Sequence, residues 1–341
     1  MQSSNDRPRI AAVVVTYNRC IMLEGCLNAL TRQDRPPDEI LVIDNASTDN
    51  TVSMLKQKFD GRITHVRLEE NLGGSAGFCE GIRLAYGKGH DWIWIMDDDV
   101  EPLPDALRRL IECPVITDRS VGVLASMVLD IPPREGTPSF EDYNRVMAAC
   151  PDGCGGWIPI GAGNYRLFTP TLGFRPAVTK ETLKSPLVPI EGAGFLGVMI
   201  RREAVTAVGL PLKELFISWD DLEFTCRISQ EFKLFLIPAS RVIHRRGGDS
   251  RSPRKFLGLS KRGAGLPFEG IWRLYYSIRN EVYVRMKYAK PWFSPFVPAM
   301  VMTKSILAAF FFYDHPVSRC KIIFCAGVDG ILGRLGKRIS P

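Results

Sequence analysis

Three consecutive carboxylates, Asp97-Asp98-Asp99, follow the apolar stretch Trp92-Ile93-Trp94-Ile95-Met96. Ionised side by side they repel one another, and a bound cation relieves that cost. Mg2+ and Mn2+ favour oxygen ligands and commonly bridge a carboxylate to a diphosphate. Side chains alternate along extended backbone, so Asp97 and Asp99 can face the same way. The same triplet also suits a solvated loop that caps a helix over 102–110.

A second acidic group, Trp219-Asp220-Asp221-Leu222-Glu223, opens an amphipathic pattern. Carboxylates at a helix start are ordinary caps. One of them can equally serve as a general base that takes the proton of an attacking hydroxyl. His244 ends the apolar run 234–243 and precedes Arg245-Arg246-Gly247-Gly248. A neutral imidazole is a good Mn2+ ligand, and adjacent arginines suit a diphosphate; a lone histidine can also be purely structural. Asn71-Leu72-Gly73-Gly74-Ser75-Ala76-Gly77-Phe78 is glycine-rich ahead of a helix pattern. Glycines there let backbone approach a ligand, and the helix start favours anions. The spacing is neither that of a Walker loop nor that of a dinucleotide fingerprint.

The elements that must position these groups are legible as a rhythm. Residues 10–16, 40–43, 63–68 and 92–96 are short apolar, β-branched runs, and helical patterns lie between them, the third over 75–86. Such alternation predicts parallel strands joined by right-handed crossovers. Ligands in open sheets of this kind bind beyond the carboxyl ends of the strands. Those ends carry Thr16-Tyr17-Asn18-Arg19, Asp44-Asn45, Asn71-Leu72-Gly73-Gly74 and the acidic triplet, so all four should share one edge. Residues 130–190 read as a long irregular insertion near the site. A strand is expected near 195–200, helices over 202–208, from about 219 and over 270–288, and an apolar segment over 292–313. Prolines and Lys304 interrupt that segment, which favours an interfacial helix over a spanning one, a buried core helix being the other alternative.

Composition sets the frame. The chain has 341 residues, 45% hydrophobic and 24% charged, with net charge +7, which excludes disordered and collagen-like classes. Residues 1–100 carry 11 Lys/Arg against 15 Asp/Glu, whereas residues 241–290 carry 13 against 3. The basic stretch is interleaved with aromatics and asks for an anionic partner. Charge alone does not choose between nucleic acid and anionic lipid. The nine cysteines are scattered with no Cys-x-x-Cys pair, which argues against a zinc site and for free thiols in a reducing compartment. The polar start lacks the pattern of a secretion signal, so the catalytic part is expected in the cytoplasm.

Taken together, Val-Val-Val-Thr-Tyr-Asn-Arg (13–19), Val-Ile-Asp-Asn-Ala-Ser-Thr-Asp (42–49), Asn-Leu-Gly-Gly-Ser-Ala-Gly-Phe (71–78) and Asp-Trp-Ile-Trp-Ile-Met-Asp-Asp-Asp (91–99) resemble glycosyltransferase family 2. The likeness runs over about residues 9–250. Phe-Ile-Ser-Trp-Asp-Asp-Leu-Glu (216–223), His244 and Tyr-Tyr-Ser-Ile-Arg-Asn (275–280) make it most similar to bacterial galactofuranosyltransferases and the related rhamnosyltransferases. The resemblance implies a GT-A (Rossmann-like) α/β fold, with a catalytic domain over 1–250 and a helical, basic, membrane-associating region over 251–341. It implies that Asp97 and Asp99 contact Mn2+ or Mg2+ with His244 as a further ligand, Asp98 being ambiguous between metal and nucleotide. Asp221 would be the base, with Asp220 and Glu223 holding hydroxyls. Thr16, Arg19 and Asp44 would hold the nucleotide; Asn71, Gly73 and Gly74 would pack near the donor. Arg245 or Arg246 would offset diphosphate charge.

The implied partners are a nucleotide-sugar donor, UDP-galactofuranose or alternatively dTDP-rhamnose, a glycan or glycolipid acceptor and an anionic membrane surface at the cytoplasmic face. No nucleic acid is expected, and a homo-oligomer is compatible with the reading. Two competing classes are a nucleotidyltransferase or sugar-nucleotide binder on a similar sheet, and a non-catalytic membrane adaptor. The first normally carries a basic, glycine-rich loop after its first strand, where this chain has Thr-Tyr-Asn-Arg.

Overall fold

The computed structural model describes residues 7–130, 165–169, 173–176, 182–245, 255–256, 259–260 and 268–339. It begins with β1 (Ile10–Thr16), α1 (Cys20–Thr31), β2 (Glu39–Asp44), α2 (Thr51–Phe59), β3 (Thr64–Arg67), α3 (Gly74–Gly87) and β4 (Trp92–Asp97). This is the alternation that the apolar runs predict. Every residue of β1 is buried, as expected for a strand covered on both faces. On α1 the spacing of Leu23, Leu27 and Leu30 puts one apolar stripe into the core, each leucine contributing about 2 kcal/mol. Helix α3 lies so close to β1 that a Cβ on Gly81 would sit 2.3 Å from Val13 Cγ1.

The later elements are β5 (Val100–Pro102), α4 (Ala106–Ile111), β6 (Val121–Asp130), β7 (Tyr165–Thr169), β8 (Gly173–Pro176), β9 (Val188–Ile190), β10 (Gly192–Ala193), β11 (Leu196–Arg201), α5 (Arg202–Val208), α6 (Asp220–Ile228), β12 (Lys233–His244), α7 (Ile271–Tyr288), α8 (Val297–Phe312) and α9 (Pro316–Ile331). The large sheet runs β3-β2-β1-β4-β11-β6-β12-β5, with β9 also paired to β12. β1, β2, β3 and β4 are mutually parallel, and β6 is parallel to β12. β11 runs antiparallel between β4 and β6. The chain is therefore the expected α/β architecture, a mostly parallel sheet flanked by helices. Most of the insertion expected over 130–190 lies outside the described residues, as does the expected boundary near 250.

Register aligns the chemistry. Thr16 pairs with Asp44, and Val15 with Asp97. Because β11 runs the other way, its first residue, Leu196, pairs with Met96 beside the acidic triplet. His244 at the end of β12 pairs with Val100 of β5.

The C-terminal helices have their own small core, in which Tyr275, Tyr276 and Val282 of α7 pack with Val301 and Ile323. Phe216, from the loop ahead of α6, is buried in that core, so the loop joins the sheet to the helical layer. The segment Ser294–Phe312 is long and apolar enough to cross a membrane and is only 28% buried. Phe296, Leu307, Phe310 and Phe311 are exposed along it, and Trp292 is exposed just before it.

Candidate active site

A cleft of about 520 Å3 opens over the polar edge of the sheet. Thr16 and Arg19 enter it from the end of β1, Asn71, Gly73 and Gly74 from the start of α3, and Asp97 and Asp98 from the end of β4. Asp220 and Asp221 line it from the start of α6, and His244 from the end of β12. The acidic stretches near 98 and 221 thus face one cavity.

Arg19 organises the triplet. Its Nη1 lies 2.8 Å from Asp98 Oδ1 and 2.9 Å from Asp99 Oδ2, and Thr16 Oγ1 donates to Asp98 Oδ2 at 2.7 Å. Asp98 is buried, and desolvation pushes its carboxyl up to about 6 despite the pull of Arg19 and Thr16. Desolvation, then the charges of Asp99, Asp98 and Asp220, push Asp97 well above the carboxylate range. Asp99 behaves oppositely: burial pushes it up, but His244 and Arg19 outweigh burial and hold it low. His244 Nε2 stands 3.4 Å from Asp99 Oδ1. Asp220 is buried, which raises its carboxyl against hydrogen bonds that lower it.

The approach to α6 is strained. Phe216, Ser218 and Trp219 each have φ of 67°, a left-handed conformation costing non-glycine residues about 1–2 kcal/mol apiece. This sharp path turns Asp220 and Asp221 into the cleft. On the opposite wall Gly73 has φ of 85°, and a Cβ there would fall 2.1 Å from Phe216 O. Only glycine fits, so the glycine turn and the strained loop touch; Ser75 N also donates to Phe216 O at 3.2 Å.

Several expected residues sit off the cleft lining. Asp44 is fully buried; it accepts from Ser47 N at 2.7 Å and lies 3.4 Å from Arg67 Nε. Burial pushes its carboxyl up, but His65 and Ser47 outweigh this and hold it low. It shapes the loop after β2. Asp99 lies beneath Arg19 and His244 rather than on the wall. Arg245 is turned onto Glu101, with Nη2 2.8 Å from Oε2, so a diphosphate would have to draw it away. Arg246 lies outside the described residues. Glu223 departs from the expected role of holding hydroxyls. It is fully buried and paired with Arg227 at 3.0 Å and Lys287 at 2.6 Å, because the first turn of α6 presents that position to α7 rather than to the cavity.

Tyr17 and Asn45, from the strand-end motifs, also line the cleft, as do three residues that the motifs do not contain: Phe195, Trp272 and Arg273. Asn45 Nδ2 donates to Gly73 O at 3.2 Å, while its Oδ1 is buried without a hydrogen bond. Trp272 and Arg273 come from α7, and their only sequence signal is the aromatic, basic character of that stretch.

The side chains fit a divalent cation in a particular way. Among the described residues, no three acidic, histidine or cysteine side chains form a ready-made cage. Carboxylates of both acidic stretches nevertheless crowd one edge, and the buried Asp99 Oδ1 has His244 Nε2 at 3.4 Å but no well-aligned hydrogen bond among the described residues. Such a set suits a cation that arrives with phosphate oxygens and uses one or two protein carboxylates.

Residues 11–128 match the family described as Glycosyl transferase family 2. The chain is 31% identical over 221 residues to galactofuranosyltransferase GlfT1 of Mycolicibacterium smegmatis, covering 64% of this chain and 65% of that protein. It is 29% identical over 223 residues to GlfT1 of Mycobacterium tuberculosis, covering 64% of each. The chain thus spans just under two thirds of the length of these relatives. Among solved structures it resembles GalNAc-T7 with UDP, GalNAc and Mn2+, with a TM-score of 0.60 at 15% identity over 94% of this chain and 55% of that one. Residues 11–128 thus match glycosyl transferase family 2, the chain has the GT-A fold, and over about 220 residues its sequence is similar to galactofuranosyltransferases.

Proposed function

We propose that the chain is an inverting, cation-assisted glycosyltransferase that moves galactofuranose from UDP-galactofuranose to an acceptor hydroxyl. The observation that carries this reading is the shared cleft: carboxylates at 97–98 and at 220–221 line one cavity together with the glycine turn and His244. The similarity to galactofuranosyltransferases supports the choice of donor sugar.

Thr16 and Arg19 after β1, with Asp44 behind them, hold the nucleotide. The start of α3 turns its positive end, at Gly74, toward an anionic donor, while Gly73 N donates to Asn71 Oδ1 at 2.9 Å and holds the turn in shape. Asp97 and Asp99, with His244, would hold Mn2+ or Mg2+, and that cation would offset charge on the leaving diphosphate. Arg19 adds a donor to the same charge once it leaves the carboxylates, and Arg245 does so on leaving Glu101. Asp221, at the mouth of α6, takes the proton of the acceptor hydroxyl as that oxygen attacks the anomeric carbon. The diphosphate departs from the opposite face, so the anomeric centre inverts. A single displacement needs one base and no protein nucleophile, unlike the paired carboxylates of retaining glycosidases.

The acceptor is a lipid-linked glycan in this reading. Aromatic and aliphatic side chains exposed from Trp292 to Phe311, with the exposed Lys290 and Lys304 alongside them, suit an anionic bilayer surface. The catalytic part, to about residue 250, then works at the cytoplasmic face, with residues 251–341 on the membrane.

Incubation with Mn2+, membrane acceptor and either UDP-galactofuranose or dTDP-rhamnose tests the donor. UDP release with sugar transfer is expected. Release of dTDP alone moves the assignment to a rhamnosyl donor. Pyrophosphate release from a sugar phosphate and a nucleoside triphosphate replaces it with nucleotidyl transfer.

A further inference from the structure

The motif Tyr-Tyr-Ser-Ile-Arg-Asn has no part in the chemistry above, yet its last two residues are completely buried. Asn280 Nδ2 lies 2.9 Å from each of three carbonyl oxygens, those of Leu215, Ile217 and Ser218. An amide has two N–H bonds, so its nitrogen sits at the focus of a loop coiled round it. That loop is the strained one, with Phe216, Ser218 and Trp219 at positive φ, and it ends where Asp220 begins α6. Without a donor at its centre, three carbonyls would face one another across a buried space.

Arg279 fixes the donor. Its Nε donates to Asn280 Oδ1 at 2.8 Å, which settles which way the amide points. Its Nη2 reaches Leu215 O at 3.0 Å and its Nη1 reaches Gly336 O at 2.6 Å. Gly336 N in turn donates to Glu214 O at 2.6 Å. The Arg279 charge lies 4.8 Å from the centroid of the Tyr276 ring, and that ring packs on Phe216 with centroids 4.7 Å apart. Two turns further along α7, Lys287 and Tyr288 bond Glu223 of α6. One helix therefore grips both the entrance and the first turn of the element that carries Asp220 and Asp221.

We infer that Asn280, oriented by Arg279, is a positioning residue that holds the 215–219 loop in its strained path and so aims Asp220 and Asp221 into the cleft. The C-terminal helical layer is then part of the transfer machinery as well as a membrane support. The inference rests on the transferase reading for its effect on turnover, but not for the clamp itself.

The test uses Asn280→Asp in the full chain. The variant keeps the shape and replaces the amide donor with an acceptor, and Ile323→Ala serves as a control that weakens the same layer without touching the loop's hydrogen bonds. Hydrogen exchange reads the clamp: in Asn280→Asp the amides of 215–223 should exchange faster while those of α8 and α9 keep their protection. In Ile323→Ala the opposite pattern is expected. For turnover, Asn280→Asp should lower kcat about a hundredfold, the cost of misplacing a reacting group by about an ångström, with UDP affinity within about threefold of the parent. Unchanged exchange over 215–223, or exchange lost evenly across the layer, overturns the clamp. A normal kcat alongside selective exchange overturns the positioning role. If the parent protein releases no nucleotide from any sugar donor, the transferase reading has failed while exchange still decides the clamp.

Discussion

Arg19 bridges Asp98 and its neighbour, standing 2.8 Å from Asp98 Oδ1 and 2.9 Å from Asp99 Oδ2. A guanidinium therefore occupies the charge position that a divalent cation would otherwise balance. Arg19 and the cation should compete for the same carboxylates. Arg19→Met is expected to lower the stability of the cation-free protein by about 1 kcal/mol, a modest cost because the arginine is partly solvated. Mn2+ with UDP should then raise the melting temperature of the variant by more than it raises that of the parent. Equal shifts in the two proteins would show that Arg19 and the cation do not share ligands.

The absence of a preformed cage among the described residues makes a second prediction. Mn2+ alone should bind weakly and UDP alone weakly, and each should strengthen the other by the same factor, since coupling between two sites is reciprocal. Titration calorimetry of each ligand, with and without the other, reads this directly. Tight Mn2+ uptake without nucleotide would contradict it.

Asp221 and Asp220 share a helix start but not an environment. Asp220 is buried beside the glycine turn, whereas Asp221 lies nearer the cleft mouth, its Oδ1 accepting from Leu222 N at 2.7 Å. Asp221→Asn should cut turnover by about 10²- to 10⁴-fold, the usual worth of a general base, and leave UDP affinity within a few-fold of the parent. Turnover close to the parent's would remove Asp221 from the chemistry and move the general base to another group of the cleft.

Most of the polar edge that lines the cleft is legible in the chain itself, because strands buried on both faces announce themselves as apolar runs and polar residues that stop them line the cavity. Thr16, Asp97 and His244 fall where such runs end. The direction of β11 was not legible: an apolar run has no polarity, and Phe195 reaches the cleft wall only because the strand it precedes is reversed. Glu223 was misassigned for a similar reason. Its spacing from Asp220 is that of a first helical turn, and whether that face meets the cavity or Lys287 depends on α7, far along the sequence. Arg245 suffers from the same dependence, through Glu101.

The Asp98 carboxyl carries a pH signature. Burial pushes it up to about 6, against about 3.9 for an unperturbed Asp. Below pH ~4 the folded and unfolded states both hold the proton, so the group is neutral in the balance. Between about 4 and 6 only the folded state holds it, so stability falls as pH rises. Above about 6 the full cost is present, about 3 kcal/mol. Asp98→Asn cannot ionise, so in cation-free buffer it should exceed the parent by about 2–3 kcal/mol at pH 7.5 and by little at pH 4.5. Urea unfolding at the two pH values checks this. An asparagine variant that loses stability equally at both would mean that the ionised carboxylate is an asset to the fold.

The apolar face beyond α7 gives the last prediction. Phe296 and Phe310 are 62% and 58% exposed, on a stretch where the exposed Lys290 and Lys304 supply positive charge. Each phenylalanine inserted into a bilayer surface contributes on the order of 1–2 kcal/mol, and each nearby lysine about 1 kcal/mol when the lipid is anionic. The full chain should therefore sediment with vesicles containing anionic lipid far more than with purely zwitterionic ones, and salt should weaken that binding. Replacing both Phe296 and Phe310 by Ser should reduce the partition about tenfold or more, at roughly 1 kcal/mol per side chain. It should leave UDP affinity unchanged, because neither residue lines the catalytic cleft. Transfer to a water-soluble acceptor should persist in that variant while transfer to a membrane-embedded one falls, which separates docking from chemistry. Vesicle binding that is indifferent to both substitutions and to lipid charge would place the membrane contact elsewhere on the chain.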